Sequence, residues 1–112
     1  MDPDLRLDGY SMVLAYRYRV HPDRRAAFER VYGPAGDWAR LFARADGYLG
    51  TELLVSTDEP GAYLLLDRWA TPAAHAAFGE AHGVDYERFG EHCAAAGLWE
   101  SEERLGVFGA VG

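Results

Sequence analysis

A chain of 112 residues with 49% hydrophobic and 26% charged residues has the size and composition of one folded domain with one hydrophobic core. Its net charge of −7 excludes a nucleic-acid backbone as the ligand, because that interaction requires a clustered basic surface. Its single cysteine, Cys93, excludes an intrachain disulfide and is expected to be a small buried hydrophobe, and no apolar run approaches the ~20 residues of a membrane span.

The first ten residues are acidic and contain neither the basic start nor the apolar centre of a signal peptide. We therefore interpret residues 1–10 as a polar N-terminal tail and residues 11–112 as a single domain. The lack of a signal peptide, together with the lone cysteine, favours a cytoplasmic location.

The first regular elements are a strand and a helix. Apolar and polar residues alternate over residues 11–20, which predicts a strand. Pro22 and Asp23 then open a helix that runs to about Tyr32. A proline in the first turn loses no helical hydrogen bond, and a carboxylate there meets the positive end of the helix dipole.

A helical segment and two strands follow. Residues 33–36 interrupt the first helix, after which Asp37 is expected to cap a second, shorter one. β-Branched and apolar residues dominate residues 48–56, residues 57–61 have the composition of a turn, and residues 62–70 form a second largely apolar segment. These two strands are therefore predicted to form a hairpin.

The last helix and strand complete the pattern. Thr71 and Pro72 are predicted to start a helix that breaks near Gly79 or Gly83 and then resumes, and residues 98–108 are predicted to form the fourth strand. The resulting βαββαβ order predicts an α+β ferredoxin-like fold, with helices on one face of a four-stranded antiparallel sheet. Apolar side chains on the other face predict dimerisation.

Four segments carry a family resemblance, in the order Y-R-Y-R-V-H-P-D, G-D-W-A-R-L-F, D-G-Y-L-G-T-E-L-L and G-A-Y-L-L-L-D-R-W-A-T-P. Together they resemble the antibiotic biosynthesis monooxygenase family, and the resemblance covers nearly the whole chain. It implies a homodimer in which two sheets face each other as a dimeric α+β barrel. It also implies a ligand cavity between the sheet and the helices of each protomer.

The resemblance also implies a chemistry. Some members oxidise aromatic polyketide phenols or anthrones to quinones with O₂ and without a cofactor. Trp69 matches the pocket Trp of those members, whereas their Asn four positions earlier is Leu65 here and their Tyr six positions later is His75. Haem-degrading members are matched less well, since their Trp and His positions fall near Phe78 and Arg88. Because of Leu65 and His75, a non-catalytic ligand-binding dimer stays open as the alternative.

Three residues are the candidates for catalysis. Trp69 is one of them by the resemblance, and His75 follows it by about one helical turn, with an imidazole that titrates near neutral pH. Such a base can deprotonate a phenol, and the resulting anion can pass an electron to O₂. Asp67 shares a strand face with Trp69. An unpaired carboxylate there would also be a base, whereas an ion pair with Arg17 would make it structural.

The predicted substrate pocket contains further residues around these three. They are Trp38, Tyr63, Leu65, Tyr16 and His82. Spacing along the helix puts His75 and His82 about 10 Å apart, too far to share an ion, so no metal site is expected. Neither a glycine-rich phosphate loop nor a flavin fingerprint is present, so any oxygenase chemistry is expected to be cofactor-free.

Overall fold

Four antiparallel strands form one sheet in the computed structural model of the protein, which describes residues 12–111. They are β1 (Met12–Arg19), β2 (Tyr48–Val55), β3 (Ala62–Trp69) and β4 (Ser101–Phe108), in the sheet order β2-β3-β1-β4. All three strand pairs are antiparallel. The predicted α+β ferredoxin-like fold is therefore confirmed, and the predicted N-terminal tail, residues 1–10, lies outside the described residues.

Two short helices follow β1. A 3₁₀ turn over Pro22–Arg24 leads into α1 (Arg25–Tyr32), so the predicted start at a proline is confirmed. The second helix is α2 (Asp37–Phe42). The predicted cap at its start was wrong, because Asp37 lies inside the first turn and its carboxylate pairs with Arg40 at 3.0 Å.

The long helix α3 (Pro72–Ala95) starts and bends where the sequence predicts. The Thr71 hydroxyl oxygen accepts a hydrogen bond from the Ala74 N–H at 3.0 Å, which caps the helix. Within the helix His82 leaves helical geometry, with φ −128° and ψ 16°, next to Gly83. Across residues 12–111, neither α3 nor the shorter helices are long and apolar enough to cross a membrane.

Side chains of β3 alternate between two environments. Those facing the helices are at most 5% exposed, and they are Tyr63, Leu65, Asp67 and Trp69. Those facing away are partly exposed, and they are Ala62, Leu64, Leu66 and Arg68. This two-residue period is the ordinary consequence of strand geometry and places a carboxyl group inside the molecule.

Two aromatic clusters fill the space between the sheet and the helices. In the first, Tyr18 of β1 packs on Phe28 of α1 with ring centroids 5.2 Å apart, and Cys93 is fully buried, as predicted. In the second, Trp69 packs on Phe78 of α3 with centroids 5.6 Å apart. Burial of these large rings provides much of the hydrophobic stabilisation of the domain.

The face of the sheet turned away from the helices has an apolar centre. We call it the open sheet face, and its apolar residues include Val13, Ala15, Leu64, Leu66, Leu105 and Phe108. Ion pairs flank this centre, with Arg17 bound to Glu103 at 2.6 Å and Arg68 bound to Glu52 at 2.9 Å. An apolar centre with a charged rim is typical of a protein–protein interface.

Candidate active site

A cavity of about 860 Å³ lies between the sheet and the helices. Aromatic rings form much of its wall, and these belong to Tyr16, Trp38, Phe42, Trp69, Phe78 and Tyr86. The volume falls within the range of about 300–1,000 Å³ that small-molecule sites occupy. A wall of this kind suits a flat aromatic molecule, because rings pack against one another face to edge or offset.

Most of the predicted site residues meet in this cavity. The three candidates for catalysis, His75, Trp69 and Asp67, all line it. From the predicted substrate pocket, Trp38, Leu65 and Tyr16 line it as well. The cavity thus brings together residues from α2, α3 and the two central strands of the sheet.

Tyr63 and His82 do not line the cavity. The Tyr63 hydroxyl donates a hydrogen bond to Glu29 Oε2 at 2.5 Å, which holds the ring in the cluster beneath α1. Alternation along β3 placed Tyr63 on the correct face but could not indicate which part of that face it reaches. His82 packs on Phe78 with ring centroids 5.3 Å apart and lies at the kink of α3, where the spacing of a regular helix no longer applies.

Asp67 is the most deeply buried acid of the cavity, with 5% of its surface exposed. Its Oδ1 accepts a hydrogen bond from the Thr51 hydroxyl at 2.6 Å. Burial raises the pKa of Asp67 to about 6, and the Thr51 hydrogen bond opposes this by favouring the charged form. The considered ion pair with Arg17 does not form, because Arg17 lies on the open sheet face and binds Glu103.

Trp69 and His75 lie side by side at the same end of the cavity. Trp69 is fully buried, and its ring meets that of His75 edge to face with centroids 5.2 Å apart. Burial lowers the pKa of the half-buried His75, and the nearby charge of Arg104 lowers it further, so both effects favour the neutral imidazole. Among residues 12–111 no atom accepts a hydrogen bond from the Trp69 indole N–H.

Several cavity residues were not singled out from the sequence. Thr51 carries the hydrogen bond to Asp67, and Tyr86 and Arg104 contribute a phenol and a cation to the wall. At the far end Glu102 accepts a hydrogen bond from the Tyr18 hydroxyl at 2.6 Å. The position of Thr51 could have been predicted from the sequence. A hairpin of residues 48–56 and 62–70, aligned about its turn, pairs Thr51 with Asp67.

Over the part of the chain that the structure describes, no three His, Cys, Asp or Glu side chains come together in a way that could hold a metal ion. The polar groups that do converge are a carboxyl, an imidazole, an indole and hydroxyls. This set can bind and deprotonate an acidic organic molecule.

Comparison with known proteins adds a family and a set of similar structures. The model of the antibiotic biosynthesis monooxygenases matches residues 11–95. SnoaB from Streptomyces nogalater, a cofactor-independent oxygenase, has a similar structure, with a TM-score of 0.67, 25% sequence identity, and 92% of this chain and 95% of that chain covered. No match was found among the curated proteins.

Two further solved structures are similar to this chain. A Caulobacter crescentus CB15 protein, provisionally named an antibiotic biosynthesis monooxygenase, gives a TM-score of 0.65 at 28% identity, with 93% of each chain covered. A Bordetella bronchiseptica protein with the same provisional name gives a TM-score of 0.66 at 23% identity, with 90% of this chain and 98% of that chain covered. The likeness to the Bordetella bronchiseptica protein shows the shared fold alone.

Proposed function

Because this chain belongs to the antibiotic biosynthesis monooxygenase family, we propose that it is a cofactor-independent monooxygenase that oxidises an aromatic, polyketide-type small molecule with O₂. One observation carries the proposal: an aromatic cavity contains a buried carboxyl group, Asp67, with a raised pKa. Buried acids with such pKa values cluster at catalytic sites. The likeness to SnoaB, a cofactor-independent oxygenase, supports the absence of a cofactor from the reaction.

Asp67 is the base of the proposed reaction. Above a pH of about 6 it is ionised and takes a proton from the acidic C–H or O–H of the substrate. The substrate anion passes one electron to O₂, and the two radicals combine to form a carbon–oxygen bond. The protonated Asp67 returns its proton to the peroxide. Loss of the second hydrogen and cleavage of the O–O bond then give a carbonyl product and one water.

Trp69 and His75 are proposed to orient the substrate for this step. A buried donor without an acceptor costs about 1–3 kcal/mol, and a substrate oxygen at the Trp69 N–H would remove that cost. The neutral His75 imidazole beside it offers a second hydrogen bond to the same oxygen. Aromatic walls around them exclude water, so that the anion reacts with O₂ before it is reprotonated.

The proposal is tested by incubating the purified protein with a panel of anthrones and phenolic polyketides under ¹⁸O₂. We expect one labelled oxygen in the product and the other in water, without added flavin, haem or metal. Binding of the panel is measured in parallel by fluorescence of the tryptophans that line the cavity. Tight binding with no labelled product from any compound would overturn the oxygenase proposal in favour of a non-catalytic ligand-binding protein.

A first prediction separates the role of His75 from that of Asp67. Replacing His75 with alanine removes one substrate hydrogen bond, so kcat/KM should fall about tenfold. The rise of activity with pH through about 6 should persist, because that limb belongs to Asp67. The measurement is a pH–rate profile of the His75→Ala protein, and complete loss of turnover would identify His75 as the base instead.

We also propose that a second copy of the chain covers the open sheet face. This surface is apolar at its centre and flanked by the ion pairs Arg17–Glu103 and Arg68–Glu52. Two sheets of this kind packed face to face would bury the apolar centres and give the dimeric α+β barrel that the family resemblance implies. The substrate cavities lie on the opposite face of each sheet and would stay open in such a dimer.

A further inference from the structure

We propose that Thr51 and Tyr48 are positioning residues for Asp67, and that their hydroxyl groups form a hydrogen-bond chain that holds one carboxyl oxygen and leaves the other for the substrate. The catalytic meaning of this chain rests on the proposed function. Its existence and its effect on the carboxyl group can be measured without turnover.

The hydrogen-bond chain runs across the hairpin of β2 and β3. Thr51 lies directly opposite Asp67 in the antiparallel register, and its hydroxyl donates to Asp67 Oδ1 at 2.6 Å. The Tyr48 hydroxyl oxygen lies 2.5 Å from the same Thr51 oxygen. A hydroxyl group has one proton, and Thr51 uses its proton on Asp67, so Tyr48 is the donor in the second bond. Both hydrogen bonds therefore point towards the carboxylate.

This arrangement makes the two oxygens of Asp67 unequal. Oδ1 is engaged by Thr51, whereas Oδ2 accepts no hydrogen bond from any residue in the described range, 12–111. Asp67 lines the cavity, so Oδ2 is the oxygen that can receive a substrate proton. The proton then stays beside the substrate, where it can be returned to the peroxide. The hydroxyl chain thus directs proton transfer between Asp67 and the substrate.

Other ionisable groups line the cavity around Asp67 or contact Thr51. Those of the cavity wall are Tyr16 of β1, His75, Tyr86 and Glu87 of α3, and Glu102 and Arg104 of β4, whereas Tyr48 of β2 contacts Thr51. Burial raises the pKa values of Tyr48 and Tyr86, and the charge of Asp67 contributes to both. Within residues 12–111 no salt bridge to Asp67 forms, and Thr51 is its one side-chain hydrogen-bond donor.

A matched pair of variants at position 51 tests the hydrogen-bond chain. Thr51→Val keeps the shape of the side chain and removes the hydroxyl, whereas Thr51→Ser keeps the hydroxyl. Loss of a hydrogen bond to the charged form should raise the pKa of Asp67 by about one pH unit in the valine protein, and the serine protein should titrate close to the wild type. Tyr48→Phe should produce a smaller change in the same direction.

Carboxyl ¹³C NMR of the ligand-free protein measures these pKa values directly, with an Asp67→Asn sample to assign the signal. An unchanged Asp67 titration in a folded Thr51→Val protein would overturn the inference. The pH–rate profile with a turned-over substrate is the second readout, and its acid limb should move upward with the NMR value. A wild type without turnover would contradict the proposed function only, because the NMR titration decides the inference by itself.

Discussion

Replacing Asp67 with asparagine is expected to abolish turnover and, at the same time, to stabilise the protein above pH 7. Asparagine has nearly the same shape and can still accept the Thr51 hydrogen bond, so the cavity should keep its form. It cannot take a proton from the substrate. We expect kcat to fall at least about 100-fold, the usual contribution of a general base, while substrate affinity stays close to that of the wild type.

The stability gain follows from the direction of the pKa change. Burial raises the pKa of Asp67 from 3.8 to about 6, so the folded protein holds this proton more tightly than the unfolded chain. The stability that the neutral carboxyl provides is therefore fully present below about pH 4 and is lost as the pH rises through about 6. At 1.36 kcal/mol per pKa unit, the loss for this 5%-exposed group amounts to roughly 3 kcal/mol.

Urea unfolding at pH 4.5 and at pH 8 measures this difference. The free energy of unfolding of the Asp67→Asn protein should exceed that of the wild type at pH 8, and the difference should be much smaller at pH 4.5. Asp58→Asn is the matched control, because it removes a carboxylate at the exposed turn between β2 and β3 and should change stability little. Equal stability of wild type and Asp67→Asn at pH 8 would show that Asp67 is ionised without cost.

Because ionised Asp67 destabilises the fold at neutral pH, its presence indicates a functional role. Leu65, its neighbour on the same face of β3, shows that an apolar side chain fits this environment. A carboxyl group in the same row therefore serves something other than packing. Functional sites commonly carry such a conflict between stability and activity.

The fold was predictable from the sequence because several local signals agree. The apolar content of residues 62–70 after a turn predicts a strand, and Thr71 with Pro72 predicts the start of α3. These features depend on residues near one another in the chain. The two-residue period of a strand grouped Asp67 with Trp69, which is why both were recognised as candidates for one cavity.

The remainder of the site depends on contacts that the sequence pattern does not specify. The pairing of β1 with β4 shifts register between Ala15 and Tyr16, and this irregularity brings Arg104 opposite Tyr16 and into the cavity wall. The kink at His82 likewise changes which residues of α3 face the sheet. A bulge and a helix kink each rotate side chains by an amount that hydrophobic periodicity alone cannot predict.

The proposed dimerisation through the open sheet face should be lost when Leu66 is replaced with aspartate. Leu66 lies on the central strand β3, opposite Ala15 of β1, in the apolar part of this face. In a monomer the new carboxylate would meet water, whereas in the proposed dimer it would be buried without a partner. Burial of an unpaired charge costs several kcal/mol, so the dimer dissociation constant should rise about 100-fold or more.

Sedimentation equilibrium of the wild type and the variant measures this change, and a thermal melt followed by circular dichroism shows that the variant is folded. Leu66→Arg, which places the opposite charge at the same position, should dissociate the dimer as well. Val84→Asp is the control, because it adds the same group at a 65%-exposed position of α3. A wild type that is monomeric, or a folded Leu66→Asp protein that still dimerises with the affinity of the wild type, would show that the open sheet face does not bind a second copy.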